Sequence, residues 1–342
     1  MRIAYDVTPL SHPRTGVGNY ILGTLKGMVA AGGAEHELVP FGPVSVRGRK
    51  LVDESLKGLD VDHRLLMVIP AHPARRMWGA LGRPWAERFL GSFDVMHFTD
   101  WMLPPQRTGL RATMIHDLGP LRFPEHLHPR TVRMHRATAR EAARCDLVFT
   151  NSEFTAADVE ERLDVNRDRI RVAYPGVDER FTPHGERHPS GVPYVFTTAT
   201  DDWRKNLPTL ERAVELVRGE LALKAPGRGG LGEFLSEEEL PTLYRGAEVF
   251  VYPSRFEGFG IPVVEAMACG VPCVVSSHPS LDEASGDAAV RADPDSPESF
   301  AEGIRRALAE RDELVVRGLA HARRFDWVET GRVHLQSYAE AL

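Results

Sequence analysis

Cysteine is scarce: 342 residues contain only Cys145, Cys269 and Cys273. Three thiols build no disulfide framework, and a helix end and a strand suit Cys269 and Cys273 as small buried side chains. No apolar run approaches the ~18 residues of a membrane span. The chain passes from Met1-Arg2 straight into Ile3-Ala4-Tyr5 without an apolar leader or a cleavage site, so a cytoplasmic protein is expected. Excess positive charge is missing as well. A net charge of −6 argues against wholesale nucleic-acid binding. Lysine is rare, with five among 42 basic residues and arginine making up the other 37. Together with abundant Ala, Gly and Pro this reads as genome composition, which makes a retained lysine such as Lys205 notable.

What is present is the length and composition of an ordinary two-domain globular protein. Residues 1–180 alternate strands with helices, the pattern of a mostly parallel sheet. Strands are expected at 2–6, 37–41, 64–69, 94–98, 112–115, 147–150 and 170–172. Helices are expected at 18–30, 129–145 and 152–163, the last capped by Ser152. The turn-rich stretch 174–193 reads as a linker. A second domain over 181–325 restarts with a strand at 194–198 and helices at 208–217, 236–245, 262–269 and 297–309. A terminal helical segment closes the chain at 326–342.

The chain is organised around Tyr252 to Gly270. An apolar strand ending at Tyr252 runs into a loop with Glu257, Gly258, Phe259 and Gly260. A helix opens at Ile261-Pro262, where proline suits the first turn, and stops at Gly270. Its amino end offers unpaired N–H groups and a favourable dipole to an anion such as a diphosphate. Glu257 precedes this helix and Glu265 lies about one turn inside it.

The run E-G-F-G-I-P-V-V-E-A-M-A-C-G-V-P over residues 257–272 resembles the Glu-x7-Glu signature of the family 4 retaining glycosyltransferases. The resemblance extends over nearly the whole chain. It implies a GT-B fold: two Rossmann-like parallel-sheet α/β domains with a cleft between them, and a C-terminal helix crossing back to the first. Length and composition also resemble those of actinobacterial antibiotic-pathway members. The segment 221–235 departs from the family. Members carry a strand, a helix and a second strand there, whereas this chain has Leu221-Ala222-Leu223 and a Gly-rich loop, which puts base recognition in doubt.

Further motifs gain meaning from the resemblance. Gly16-Val17-Gly18, read as a loop after the first strand, lacks the third glycine of a dinucleotide fingerprint. By itself it is equally a tight turn, and the family places its first glycine loop against the donor diphosphate. Arg204-Lys205-Asn206 offers a guanidinium fork and a point charge to phosphate oxygens. Alone it could be a solvated loop, but the family's corresponding lysine contacts donor phosphates. Many members carry another arginine six residues earlier, where this chain has Ala199. His116, at the carboxyl end of a parallel strand, matches the family's His-Asp pair, whose histidine approaches the transferred sugar. The resemblance gives Glu265 the ribose hydroxyls and Glu257 the sugar.

Asp60-Val61-Asp62, Asp293-Pro294-Asp295, His126 and His128 are read as structural, so no metal and no cofactor is expected. The Arg75–Leu90 stretch, with Trp78, Trp85 and Phe89, is read as packed on its domain, with no membrane contact. The expected reaction moves a hexosyl or pentosyl group from a nucleoside diphosphate sugar, UDP on family prevalence, to a hydroxyl of a small molecule or saccharide. Anomeric configuration is retained through front-face attack, since no carboxylate is evident for a covalent intermediate. Glu257→Ala and Lys205→Ala are each expected to abolish transfer without disturbing the fold. A sugar-nucleotide epimerase or phosphorylase, or a non-catalytic nucleotide-sugar binding protein, are the alternatives. Product analysis with and without acceptor, and donor hydrolysis, separate them.

Overall fold

The computed structural model describes residues 1–13, 15–32, 35–61, 64–66, 71–99, 104–217, 221–226 and 238–342. The chain divides into two compact units: Met1–Gly176 with Trp327–Leu342, and Val177–Asp326.

The first unit begins with β1 (Arg2–Asp6), α1 (Gly16–Gly32), β2 (Glu37–Pro43), α2 (Val46–Ser55), β3 (Arg64–Leu66), α3 (Ala71–Leu81) and α4 (Glu87–Leu90). It continues through β4 (Val95–Phe98), β5 (Leu110–Ile115), α5 (Gly119–Arg122), α6 (Pro129–Ala142), β6 (Leu147–Thr150), α7 (Glu153–Leu163) and β7 (Ile170–Val172). Its sheet has the order β3-β2-β1-β4-β5-β6-β7, with every pairing parallel. Helices cover a parallel sheet on both faces, so strands such as β4 and β6 are buried along their whole length.

The second unit comprises β8 (Tyr194–Phe196), α8 (Leu207–Leu216), β9 (Ala222–Lys224), α9 (Glu239–Gly246), β10 (Val249–Tyr252) and α10 (Ile261–Ala268). β11 (Cys273–Ser276), α11 (Pro279–Ser285), β12 (Ala289–Ala292), α12 (Pro297–Ala309) and α13 (Arg311–Ala322) follow. The sheet order is β12-β11-β10-β8-β9, again parallel throughout. A last helix, α14 (Trp327–Ala341), returns to the first unit and packs on α1.

Gly16 and Gly18 do not sit in a loop. They form the first turn of α1, and the reversal after β1 is made earlier by a 3-10 turn at Thr8–Ser11. The Asp6 carboxylate holds that turn, accepting from the Thr8 amide at 2.9 Å and from its hydroxyl at 2.5 Å. Ser152 caps α7 by accepting from the Thr155 N–H at 2.9 Å. Among the described residues, β9 is the one strand between α8 and α9. The expected glycine loop at 227–232, Asp62, and the ends of the strand over 64–69 and the helix over 236–245 lie outside the described residues.

Where α14 meets α1, glycines let backbone touch backbone. A Cβ on Gly331 would lie 2.1 Å from the Gly27 carbonyl carbon, and one on Gly27 1.8 Å from the Trp327 oxygen. Beneath this contact lies a buried ring cluster. His334 stacks on Phe149 with centroids 4.1 Å apart, and His97 Nδ1 lies 2.6 Å from the Tyr338 hydroxyl. Gly331→Ala is therefore expected to lower stability by about 1–3 kcal/mol, since two packed helices must separate. Gly16→Ala, with nothing within 4 Å of the added carbon, serves as the neutral comparison; thermal unfolding of the two variants checks this.

Burial lowers the pKa of His334 to about 4 and that of His97 well below the usual 6.5. Both rings fold neutral, while the unfolded chain takes up protons below 6.5. Stability present above that pH is thus lost as pH falls towards 4. Buried Asp6, whose pKa is raised, works in the opposite direction. The melting temperature should drop on acidification across this window, and less steeply in His334→Phe.

Candidate functional site

In the second unit, β8 and β10 are neighbours in parallel register, with Val249 opposite Val195. The segments that follow the two strands therefore emerge side by side. After β8, Asp202 accepts from the Arg204 N–H at 2.9 Å and caps a 3-10 turn over Trp203–Lys205. Asn206 leaves this turn in the left-handed region, at φ 54°. Its amide donates to the Pro253 and Pro294 carbonyls at 3.1 and 2.7 Å. Arg255 N–H also donates to the Arg204 carbonyl at 2.7 Å. These bonds staple the loop after β8 to the one after β10.

The result is a single polar cluster. Lys205 Nζ lies 2.7 Å from Glu257 Oε1 and 2.9 Å from the Tyr252 hydroxyl. Side-chain exposures of 22% and 14% keep the pair largely out of bulk water. Burial opposes the lysine's charge, but the carboxylate and phenol beside it outweigh this and raise its pKa. Burial likewise opposes the Glu257 charge, and the ammonium more than compensates, so its pKa is lowered. Both groups are ionised. Arg204 is not equivalent to Lys205, because its guanidinium turns back to Asp202 at 3.3 Å.

From Glu257 the chain passes Gly258 and Phe259, buried against Phe325 at a centroid distance of 5.3 Å. Gly260 then adopts φ 115°, and a Cβ there would lie 2.6 Å from Leu281 Cδ2. The position thus requires glycine twice over, by conformation and by space. α10 opens at Ile261 with Pro262 in its first turn and no side-chain cap. Glu265 is buried and accepts from the Tyr244 hydroxyl at 3.0 Å. Burial raises its pKa to about 7, against the opposing effects of Tyr244 and Arg180. Cys269 and Cys273 are buried free thiols, and burial lifts the former to about 12.

In the first unit, His116 follows β5 and meets Tyr20 of α1 edge to face at 5.1 Å. Burial takes its pKa down to about 4, so the ring is neutral. Its Nε2 is buried without a hydrogen-bond partner among the described residues. Asp117 accepts from the Gly119 N–H at 2.7 Å, ahead of α5. Gly16 borders open space, and Gly18 is buried.

Other residues weighed from the sequence have structural partners. Asp295 pairs with Arg255, and Asp293 accepts from the Asp295 N–H at 2.9 Å. His128 caps α6, accepting from the Arg130 N–H at 3.2 Å, and Trp78 is buried. Among the described residues, no group of three or more His, Cys, Asp or Glu side chains could hold a metal ion. No helix there is long and apolar enough to cross a membrane. Thus Lys205 and Glu257 touch directly, Arg204 and residues 258–261 adjoin them along the chain, and Gly16, Gly18 and His116 belong to the other unit. Tyr252, Tyr244 and Tyr20 were missed from sequence. Tyr252 ends the apolar strand in the core motif, and that position was the available signal.

The family model for Glycosyltransferase Family 4 matches residues 14–181, and that for Glycosyl transferases group 1 matches 227–323. The O-antigen chain mannosyltransferase B of Escherichia coli is 28% identical over 370 residues, 96% of each chain. The chain is a GT-B glycosyltransferase, and these matches support family 4. That alignment is longer than this glycosyltransferase itself, 370 against 342, so the relative carries insertions it lacks. The serotype-specific mannosyltransferase WbdA of E. coli is 27% identical over 268 residues, and the match spans 66% of this chain but 33% of that longer protein. Among solved structures, sucrose-phosphate synthase from Thermosynechococcus elongatus superposes with a TM-score of 0.69 at 19% identity, covering 99% of this chain and 98% of that one.

The geometry attaches a stability cost to Lys205→Ala. Removing the ammonium strands a largely buried carboxylate, at a cost of about 2–3 kcal/mol. Lys205→Met should therefore unfold at lower temperature than the wild type. Adding Glu257→Gln should recover part of the loss, as a double-mutant thermal series would reveal.

Proposed function

We propose that the chain is a retaining, metal-independent glycosyltransferase that moves a hexosyl or pentosyl group from a nucleoside diphosphate sugar to an acceptor hydroxyl. The reading rests on one observation: a charged lysine held by a buried carboxylate and a phenol at the entry to an uncapped helix. A cation in that setting suits a diphosphate leaving group, whose charge grows as the glycosidic bond breaks. Lys205 stabilises that charge together with the loop Gly258, Phe259 and Gly260 and the amino end of α10 at Ile261. Arg204 contributes once it exchanges Asp202 for phosphate. Glu257 aligns Lys205 and accepts from a sugar hydroxyl.

Glu265 accepts from the ribose hydroxyls, and Gly16 and Gly18 border the diphosphate. His116, neutral and with an Nε2 unpartnered among the described residues, contacts the transferred sugar. A saccharide acceptor is supported by the relative that covers 96% of this chain and is named as an O-antigen mannosyltransferase. A small-molecule acceptor in antibiotic biosynthesis is the narrower form of the same reading. UDP is the base to test first.

Calorimetric titration with UDP, GDP, ADP and dTDP should show one tight nucleotide, UDP by this proposal, with affinity unchanged by EDTA. Glu257→Gln keeps the carboxylate's shape without its charge, Lys205→Arg keeps the charge in a different geometry, and each should lower kcat/KM about 100-fold or more. Wild-type rates in both would defeat the assignment. Proton NMR of the product should show the donor's anomeric configuration. Because Glu265 gains its proton near pH 7, nucleotide affinity should weaken as pH falls from 8 to 6, and Glu265→Gln should abolish that dependence.

A further inference from the structure

Away from these residues, on the helical face of the first unit, lies a pocket of about 420 Å3. That volume is within the usual range of small-molecule sites, ~300–1,000 Å3. Its wall is made by Arg136, Arg140, Arg144 and Arg162, with Leu121, Leu163 and two alanines between them. Arg136 and Arg140, four residues apart, share one face of α6, and Arg144 follows in the turn just past its carboxyl end. Arg162 comes from the last turn of α7. These helix ends lead into the amino ends of β6 and β7, whereas His116 follows the carboxyl end of β5.

The charge is concentrated and incompletely compensated. Arg136 and Arg140 are exposed and make no ion pair among the described residues. Arg144 pairs with Glu141 at 2.9 Å, and Arg111 approaches the same carboxylate at 3.6 Å. Arg162 donates to Asp158 at 2.6 Å, and that carboxylate, 2% exposed, also takes the Arg122 fork at 2.9 Å. Four guanidiniums line the pocket, and the two carboxylates that pair with Arg144 and Arg162 are each shared with a further arginine. Like charges at this spacing on a helix repel, so the stripe detracts from the stability of α6. The carboxyl end of the helix favours cations at Arg140 and Arg144, but not at mid-helix Arg136. The buried Asp158 holds Arg162 in place, a preorganised wall for an incoming anion.

We infer that this pocket binds a phosphate group carried on an apolar body. Guanidinium forks match phosphate oxygens in pairs, and Leu121, Leu163 and the alanines accept the hydrocarbon beside it. A lipid headgroup and a soluble phosphate ester share this chemistry. The site is independent of the donor site proposed above.

The test uses the full chain with two probes: dihexanoyl phosphatidic acid below its micellar concentration, and vesicles of phosphatidylcholine with or without phosphatidylglycerol. The soluble lipid should bind to the wild type. Arg136→Glu/Arg140→Glu, which breaks no ion pair, should weaken it about tenfold or more. Lys205→Arg should leave binding unchanged, which separates this pocket from the donor site. Sedimentation with phosphatidylglycerol vesicles, lost in the double variant, would identify a membrane headgroup as the source. Binding of the soluble lipid without sedimentation would identify a free ester. No binding of either probe, or binding insensitive to the double reversal, overturns the inference.

Discussion

Two opposite charges drawn out of water set the terms for the second unit. A lysine and a glutamate 52 positions apart meet because the strands preceding them, β8 and β10, are adjacent and parallel. Neither charge is tolerable there without the other. The loops that carry them must then be fixed to within hydrogen-bonding distance, and the Asn206 side chain, together with the Arg255 N–H to Arg204 carbonyl bond, does this. The α10 entry, with its obligatory Gly260, follows from the same placement. Chemistry at this site is therefore bound up with stability.

The two glutamates of the motif, alike in sequence, are driven apart by their surroundings. Glu257 has an ammonium at 2.7 Å and remains a carboxylate, whereas burial draws Glu265, with a phenol at 3.0 Å, towards the neutral form. Environments that separate the pKa values of paired acids commonly mark a division of labour. Here the division falls between a group that fixes a cation and one poised to exchange a proton near neutrality.

Much of this was legible in the amino-acid order, since periodicity survives wherever local preference and tertiary demand agree. The strands at Arg2–Asp6, Leu147–Thr150 and Ile170–Val172, and the helix Pro297–Ala309, are such cases. α2 was missed because its sequence is mostly polar, with Gly48 and Val52 as its buried residues. α13 was missed where Gly318 stands in the apolar stripe, a position explained by Met267 packed 3.2 Å from its would-be Cβ. At the site, the glycines and acids announced themselves as types in a fixed pattern. Their partners did not. Tyr252, Tyr244 and Tyr20 read as core aromatics, and the assignment of Arg204 to Asp202 in place of an open cleft depends on side-chain geometry that spacing does not encode.

The return of α14 to α1 also bears on how the molecule comes into being. The first unit's core includes Leu335 and Tyr338, yet 150 residues of the other unit, Val177–Asp326, are synthesised before them. On the ribosome, the amino-terminal sheet must wait with the glycine face of α1 and the ring of Tyr20 uncovered, while the second unit can already close on itself. Order of synthesis and order of completion are thus reversed, and a stretch made after the second unit is the one that seals the first.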